Sequence, residues 1–279
     1  MVTNPATADG RSRTLADGHQ IPVLGLGVWQ VPDGPECVNA VRWALELGYR
    51  HIDTAQAYGN EESVGRALRD SGVPREEVFV TTKLWNQDQG YDRALRAFDA
   101  SLKRLGLAYV DLYLLHWPVA GLRLESWRAL ERLSADSRAR SIGVSNFLVP
   151  HLEELLAHAH VVPAVDQIEC SPFLQRRETV ALCARHGIVV EAYSPLTRGL
   201  RLTHPAVVRV ARDVGRSPAQ VLLRWGIQHG HVVLPKSTKA ERIAENGSVF
   251  DFSLDSDAMR RLDGLEEGLV TGWDPATQL

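Results

Sequence analysis

Short apolar runs alternate with amphipathic segments along almost the whole chain, and this alternation restricts the possible folds more than any other feature. Between the runs, apolar residues recur at helical spacing, as at Val38, Val41 and Leu45. Strands that alternate with helices indicate parallel strands joined by helical crossovers. The strand-sized runs lie at 23–27, 50–53, 78–83, 111–116, 141–144, 164–168, 188–193 and 231–235.

A chain of 279 residues with this alternation predicts an α/β fold, namely a (β/α)8 TIM barrel in one domain that spans residues 1–279. An open, doubly wound sheet is the alternative. The glycine fingerprint of dinucleotide-binding sheets is missing, because Gln30 stands where a third glycine would follow Gly25 and Gly27. The closed barrel is therefore favoured.

The two ends of the chain carry their own signals. Asp17-Gly18 lies between two short apolar runs and predicts a β-hairpin, which we expect to cap the base of the barrel. We expect residues 1–12 to form a flexible tail. We expect residues 268–279 to form a C-terminal tail near the mouth of the barrel.

Charge and cysteine content argue against several classes of protein. The net charge is −3 and no basic stripe stands out, so we expect no nucleic-acid partner. Cys37, Cys170 and Cys183 are widely spaced, which favours neither a disulfide framework nor a metal site and suits a reducing cytoplasm. No signal peptide and no apolar run long enough to span a membrane is visible. We expect a cytoplasmic monomer.

Polar residues stand at the ends of most of the predicted strands. Each has an ordinary explanation when taken singly: Asp53 could cap a helix, Lys83 could be solvated and His116 could be a core histidine. The carboxyl ends of barrel strands converge on one mouth, so their joint occurrence predicts a site there. The residues are Asp53, Lys83, His116, Ser145, Asn146, Gln167, Tyr193, Ser194, Lys236 and Ser237.

Several segments resemble the aldo-keto reductase family. They cover the chain from about residue 14 to 265 and read GYRHIDTA, VFVTTKLWN, DLYLLHWP, SIGVSNF, VDQIE and LPKSTKAERIAEN. The segments YGNEESVG and TTKLWN, with a short loop after the sequence HWP, look most similar to the bacterial 2,5-diketo-D-gluconate reductase branch. The resemblance implies NADPH-dependent reduction of aldehydes or ketones to alcohols. A cofactor-binding sensor with little turnover is the alternative.

The resemblance implies Tyr58 as the proton donor, with Asp53, Lys83 and His116 around it. When hydride reaches a carbonyl carbon, negative charge develops on the oxygen and must be stabilised. We expect Lys83 to lower the pKa of Tyr58, Asp53 to hold the Lys83 ammonium, and His116 to donate a hydrogen bond to the carbonyl oxygen.

The resemblance also implies the residues that bind the cofactor and the substrate. Ser145, Asn146 and Gln167 are expected on the nicotinamide carboxamide, and Tyr193 is expected to stack beneath the ring. Arg242, with Lys236 and Ser237, is expected on the 2′-phosphate, which favours NADPH over NADH. The remaining cofactor residues are Ser194, Leu196, Glu245 and Asn246, and the predicted substrate residues are Trp29, Trp85, Trp117 and Trp273.

Overall fold

The computed structural model describes residues 10–278. Most of the predicted N-terminal tail and the last residue, Leu279, lie outside the described residues. Residue 12 is not part of a tail, because strand β1 begins there. The predicted boundary of the tail was therefore too far along the chain.

A two-stranded antiparallel hairpin precedes the barrel. Strand β1 (Ser12–Thr14) pairs with β2 (Gln20–Pro22), and Arg13 lies opposite Ile21. Its turn contains Gly18 with a φ of +89°, a conformation that glycine adopts at little cost. The side chains of Leu15 and Ile21 pack in one cluster with Phe79, Leu112, Leu114, Ala164, Val165, Val189 and Val232. This cluster closes the base of the barrel and confirms the predicted cap.

Eight parallel strands follow, and strands that are consecutive in the sequence are neighbours in the sheet. Bridges between Leu24 and Val233 and between Gly27 and Lys236 connect the last strand to the first and close the barrel. The predicted TIM barrel is confirmed. The strands are β3 (Leu26–Gly27), β4 (His51–Asp53), β5 (Phe79–Leu84), β6 (Val110–Leu115), β7 (Ala139–Ser145), β8 (Val165–Glu169), β9 (Val189–Tyr193) and β10 (Val232–Leu234).

A helix follows each barrel strand, and β9 and β10 are each followed by two. The helices are α1 (Pro35–Glu46), α2 (Glu61–Asp70), α3 (Tyr91–Leu105), α4 (Arg123–Ala135), α5 (Val149–His158), α6 (Arg177–His186), α7 (Pro205–Val214), α8 (Pro218–Gln228), α9 (Ala240–Gly247) and α10 (Ser256–Asp263). Among residues 10–278, no helix is both long enough and apolar enough to span a bilayer.

Local sequence signals account for several helix ends. Ser217 Oγ accepts a hydrogen bond from the Gln220 backbone N–H, and the Gln220 side chain accepts one from the Ser217 N–H, which forms a capping box at the start of α8. Helix α3 ends at Leu105, and the residue that follows it, Gly106, has a φ of +65°. Strand β3 is shorter than the predicted run 23–27, because Leu24 joins the sheet only through a single bridge.

Helices α2 and α3 approach each other closely at Gly65. A Cβ atom at this position would lie 2.1 Å from the backbone oxygen of Leu105. Backbone atoms cannot move aside as a flexible side chain can, so only a glycine allows this packing. The close contact holds α2 in the position from which the preceding loop enters the barrel mouth.

We therefore expect Gly65→Ala to reduce the free energy of unfolding by about 3 kcal/mol, the upper range for an overpacked core. Urea unfolding followed by circular dichroism measures the change. The matched control is Gly264→Ala, since a Cβ there meets only ordinary contacts at 3.5 Å. Equal stability of the two variants would contradict the tight α2–α3 contact.

Candidate active site

The loop after β4 returns a tyrosine to the barrel mouth. A single 3₁₀ turn, Gln56–Tyr58, follows the strand, and Gly59 reverses the chain with a φ of +68°. Asn60 is buried and fixes the loop, because its Nδ2 donates hydrogen bonds to the backbone oxygens of Val28 and Val31, each at 2.9 Å. Tyr58 is therefore held close to the strand end that it follows.

Lys83 connects the carboxylate and the phenol. Its side chain is completely buried on β5, and its Nζ lies 2.7 Å from Asp53 Oδ1 and 2.8 Å from the backbone oxygen of Thr54. The third contact of Nζ is with Tyr58 Oη at 3.3 Å. A lysine ammonium has three N–H donors, so all three are in use. Tyr58 Oη accepts from Lys83, which leaves the tyrosine's own proton available to another acceptor.

His116 completes the group of four predicted catalytic residues. It follows the last residue of β6, and its ring lies 5.6 Å from the Tyr58 ring and 5.2 Å from the Trp85 ring. Burial, with a smaller contribution from Lys83, holds the pKa of His116 well below its ordinary value. The imidazole is neutral at neutral pH and can donate one N–H. The structure thus brings Tyr58, Asp53, Lys83 and His116 together.

The expected direction of the Tyr58 pKa shift is not what the structure gives. Burial raises the pKa of Tyr58, and Lys83 lowers it by less than burial raises it. The sequence indicated the cation but not the effect of burial on the half-buried phenol. For Lys83, burial lowers the pKa, but Asp53 and Tyr58 raise it by more, so the ammonium stays charged. The site therefore presents a protonated phenol beside a fixed cation.

The residues predicted on the nicotinamide lie at the ends of neighbouring strands. Asn146 Nδ2 donates to the backbone oxygen of His116 at 3.0 Å, and Asn146 Oδ1 accepts from Tyr193 Oη at 2.8 Å. Ser145 Oγ donates to the backbone oxygen of Gln167 at 2.9 Å. Asn146 and Ser194 have φ values of +63° and +48°, an uncommon conformation for residues other than glycine that is often found at functional sites.

The Gln167 side chain was expected to face the nicotinamide carboxamide, but its amide nitrogen points into the barrel interior. Its Nε2 donates to Asp53 Oδ2 at 2.8 Å and to Glu191 Oε2 at 2.5 Å. One amide therefore connects the carboxylate of Asp53 on β4 with a second buried carboxyl, Glu191 on β9. The amide oxygen Oε1 accepts from no described residue and keeps some contact with solvent.

The predicted phosphate site lies at the start of α9. Lys236 and Arg242 are exposed, and neither has an ion-pair partner among the described residues. The Ser237 hydroxyl accepts a hydrogen bond from the Lys239 backbone N–H at 3.1 Å. Two unneutralised cations near a helix N-terminus suit an anion. Further along α9, Asn246 is buried and Glu245 is half-buried, and Leu196 is half-buried in the loop after β9.

The four predicted substrate tryptophans differ in their exposure and in their contacts with the residues of the site. Trp85 contacts His116, and Trp117 lies 5.9 Å from Trp273, measured between ring centroids. Trp273 is 70% exposed, so the C-terminal segment covers Trp117 without being buried itself. Trp29 is 41% exposed and lies beneath the guanidinium of Arg198 at 5.0 Å.

Two features escaped the sequence interpretation. Arg198 stacks on Trp29 and donates to the backbone oxygen of Thr271 at 2.9 Å, so the short loop after β9 contacts both the mouth and the C-terminal segment. No local pattern indicates such a long-range contact. Glu191 is the other feature. An acid within the apolar run VVEAY was a visible signal for it.

A family model matches most of the chain. The model described as "Aldo/keto reductase family" matches residues 23–267. The chain belongs to the aldo/keto reductase family. The family predicted from the six segments is therefore confirmed.

Individual members of the aldo/keto reductase family match nearly the full chain. The chain is 49% identical over 265 residues to the 9,11-endoperoxide prostaglandin H2 reductase of Trypanosoma cruzi, covering 94% of each. It is 48% identical over 261 residues to the glyoxal reductase of Bacillus subtilis, covering 94% of this chain and 95% of that one. The crystal structure of a Gox0644 mutant in complex with NADPH superposes with a TM-score of 0.91 at 42% identity, covering 95% and 97%. These relatives do not confirm the diketogluconate reductase branch.

The neutral state of His116 is a testable property of this site. Because burial and Lys83 both disfavour the imidazolium, we expect its ring nitrogens to keep neutral shifts between about pH 5.5 and 8, where an ordinary histidine titrates. ¹⁵N-detected NMR of histidine-labelled protein measures this, and the signal lost in His116→Gln provides the assignment. A titration midpoint above about pH 6 would show that His116 can carry a proton to the substrate.

Proposed function

We propose that this protein reduces aldehydes and ketones to alcohols with NADPH, and that Tyr58 is the general acid. The observation that carries the proposal is the contact from Lys83 Nζ to Tyr58 Oη, because it leaves the phenolic proton directed to another acceptor. A carbonyl oxygen placed between Tyr58 and the neutral His116 receives two hydrogen bonds as negative charge develops on it. Bound NADPH supplies the hydride.

The residues at the mouth fit this cofactor. Lys236 and Arg242 are exposed cations without a carboxylate partner in the described part of the chain, as a 2′-phosphate site requires. Ser237 adds a hydroxyl, and Glu245 and Asn246 lie one turn further along α9, where we place the adenine. The relative Gox0644 has been crystallised with NADPH, which supports the same cofactor here.

The nicotinamide end is assigned to the strand ends of β7, β8 and β9. We propose that Ser145, Asn146 and Gln167 bind the carboxamide, that Tyr193 lies beneath the ring, and that Ser194 and Leu196 contact the diphosphate side. The bond from Tyr193 Oη to Asn146 Oδ1 holds these two side chains together before any ligand arrives. Each keeps a polar or aromatic face for the cofactor.

We propose that the substrate is a small carbonyl compound bound among Trp29, Trp85, Trp117 and Trp273. Aromatic walls with few polar groups suit a small organic ligand. The names of two relatives, a glyoxal reductase and a prostaglandin reductase, support carbonyl or related oxygen substrates of different size. The diketogluconate reductase branch remains a proposal, supported by the seven-residue loop between β6 and α4.

The domain organisation, oligomeric state and cellular location of the protein are also proposals. We propose a single barrel domain over residues 1–279 that acts as a monomer in the cytoplasm, without a nucleic-acid or membrane partner. Three free, buried cysteines suit a reducing compartment.

Replacing Tyr58 by Phe removes the proposed acid and little else. We expect turnover to fall about 10²- to 10⁴-fold, the usual contribution of general acid catalysis, while the NADPH Kd stays near that of the unmodified protein. NADPH absorbance with a panel of aldehydes and ketones measures turnover, and fluorescence titration measures Kd. Tyr91→Phe, at a 40% exposed tyrosine on α3, is the matched control. Turnover unaffected by Tyr58→Phe would end the assignment, and NADPH binding without any turnover in the unmodified protein would favour a sensor.

Replacing Arg242 by Ala tests the phosphate site. We expect the NADPH Kd to rise about 10- to 100-fold, the loss of a charge-assisted hydrogen bond, and the NADH Kd to change little. Isothermal titration with both dinucleotides measures the difference. Arg96→Ala removes another exposed arginine, on α3, and should affect neither value. An equal loss for both dinucleotides would contradict a 2′-phosphate contact.

A further inference from the structure

Glu191 is a buried acid that the reaction described above does not use. It lies on β9 inside the barrel with no solvent exposure. Its Oε2 accepts from Gln167 Nε2 at 2.5 Å, whereas its Oε1 has no hydrogen-bond partner among the described residues. Burying a carboxyl group with one oxygen unpaired is costly, so its position in this barrel needs an explanation.

The geometry of Gln167 gives that explanation. An amide nitrogen carries two N–H donors and the amide oxygen carries none. With carboxyl oxygens of Asp53 and Glu191 on the inner side, the nitrogen of Gln167 must point inward. The amide oxygen is then left on the side that keeps contact with solvent. That oxygen is the acceptor which a carboxamide NH₂ group would meet.

We propose that Glu191 is a positioning residue, which fixes the Gln167 amide for the nicotinamide carboxamide. The inference rests on the proposed NADPH-dependent function. With Asp53 alone, one N–H of Gln167 would remain unpaired in the interior. Leaving such a donor unsatisfied favours rotation of the amide. Glu191 accepts a hydrogen bond from the second N–H, so no unpaired donor remains that would favour rotation of the amide.

The groups around Glu191 explain why it can hold a proton. His51 and Asp53 face it from β4, Lys83 from β5 and Gln167 from β8, while its β10 neighbour, Val232, is apolar. Burial, followed by the charge of Asp53, raises the pKa of Glu191 to about 8, against smaller opposing effects of Gln167 and Lys83. Near neutral pH the carboxyl is therefore mostly protonated. The Lys83–Asp53 pair then stays balanced in charge.

The unpaired oxygen is consistent with this protonation state. Glu191 Oε1 lies 3.5 Å from His51 Nε2, and His51 is neutral because burial lowers its pKa to about 3. A proton on Oε1 faces a neutral ring, and Oε2 remains free to accept from Gln167. When Glu191 ionises at higher pH, its charge raises the pKa of Tyr58 and helps keep the general acid protonated.

Two substitutions in the full-length protein separate geometry from charge. Glu191→Met removes the acceptor, so we expect the NADPH Kd to rise about tenfold, as for one lost hydrogen bond. We also expect the transferred deuterium from [4R-²H]- and [4S-²H]NADPH to lose its strict face preference. Glu191→Gln keeps an acceptor oxygen for Gln167 and should restore both properties.

Glu191→Gln should nevertheless change the pH profile. Because it cannot ionise, the alkaline limb of kcat for reduction should move to lower pH. Asp111→Asn is the matched control, since Asp111 is a buried carboxyl near the start of β6 that accepts from Arg75 and the Val80 backbone N–H instead of Gln167. It should change stability alone, with NADPH affinity, face preference and pH profile retained.

Several results would overturn the proposal. They are a folded Glu191→Met variant with unchanged NADPH affinity and face preference, equal losses in both Glu191 variants, and an unchanged alkaline limb in Glu191→Gln. If Glu191→Met does not fold, the pH profile of Glu191→Gln still decides. NADPH affinity is measured without turnover, so the positioning role can fail while Tyr58→Phe still abolishes reduction, and the reverse also holds.

Discussion

The ion pair between Lys83 and Asp53 is the interaction on which the rest of the site depends. Removing one partner of a buried pair typically costs about 3–5 kcal/mol, because the other charge is left uncompensated. Here the pair is also hydrogen-bonded on every side: Lys83 reaches Thr54 and Tyr58, and Asp53 accepts from Gln167. A lysine held by three acceptors cannot rotate away, so the phenol above it has a fixed neighbour.

Burial reverses one expectation about this site, namely the direction in which the pKa of Tyr58 is shifted. In water, a nearby ammonium would make a phenol more acidic, but in the barrel mouth the loss of hydration outweighs the cation and raises the pKa of Tyr58. The phenol therefore remains a proton donor at neutral pH. In the proposed reaction, the Lys83 ammonium matters most after the proton has left Tyr58, when it stabilises the phenolate that remains.

The alternation of strands and helices was sufficient to predict the barrel, since each βα unit is a local pattern and closure follows from their number. The positions of Asp53, Lys83 and His116 were predictable for the same reason, because strand ends meet at one mouth. The bond from Gln167 to Glu191 and the stacking of Arg198 on Trp29 were not, because they depend on distances between residues far apart in the chain. The balance of burial and charge at Tyr58 also requires coordinates.

The proposed cofactor side of the mouth is held in place by bonds of the fold itself. Asn146 and Ser194 hold left-handed backbone conformations, and Asn146 is bonded to His116 and Tyr193. Such conformations cost about 1–3 kcal/mol each and persist only where surrounding bonds enforce them. A site that has already been ordered during folding loses less entropy on binding. The folding energy of the barrel thus contributes to cofactor affinity, and Glu191 extends this support from the strand ends into the barrel interior.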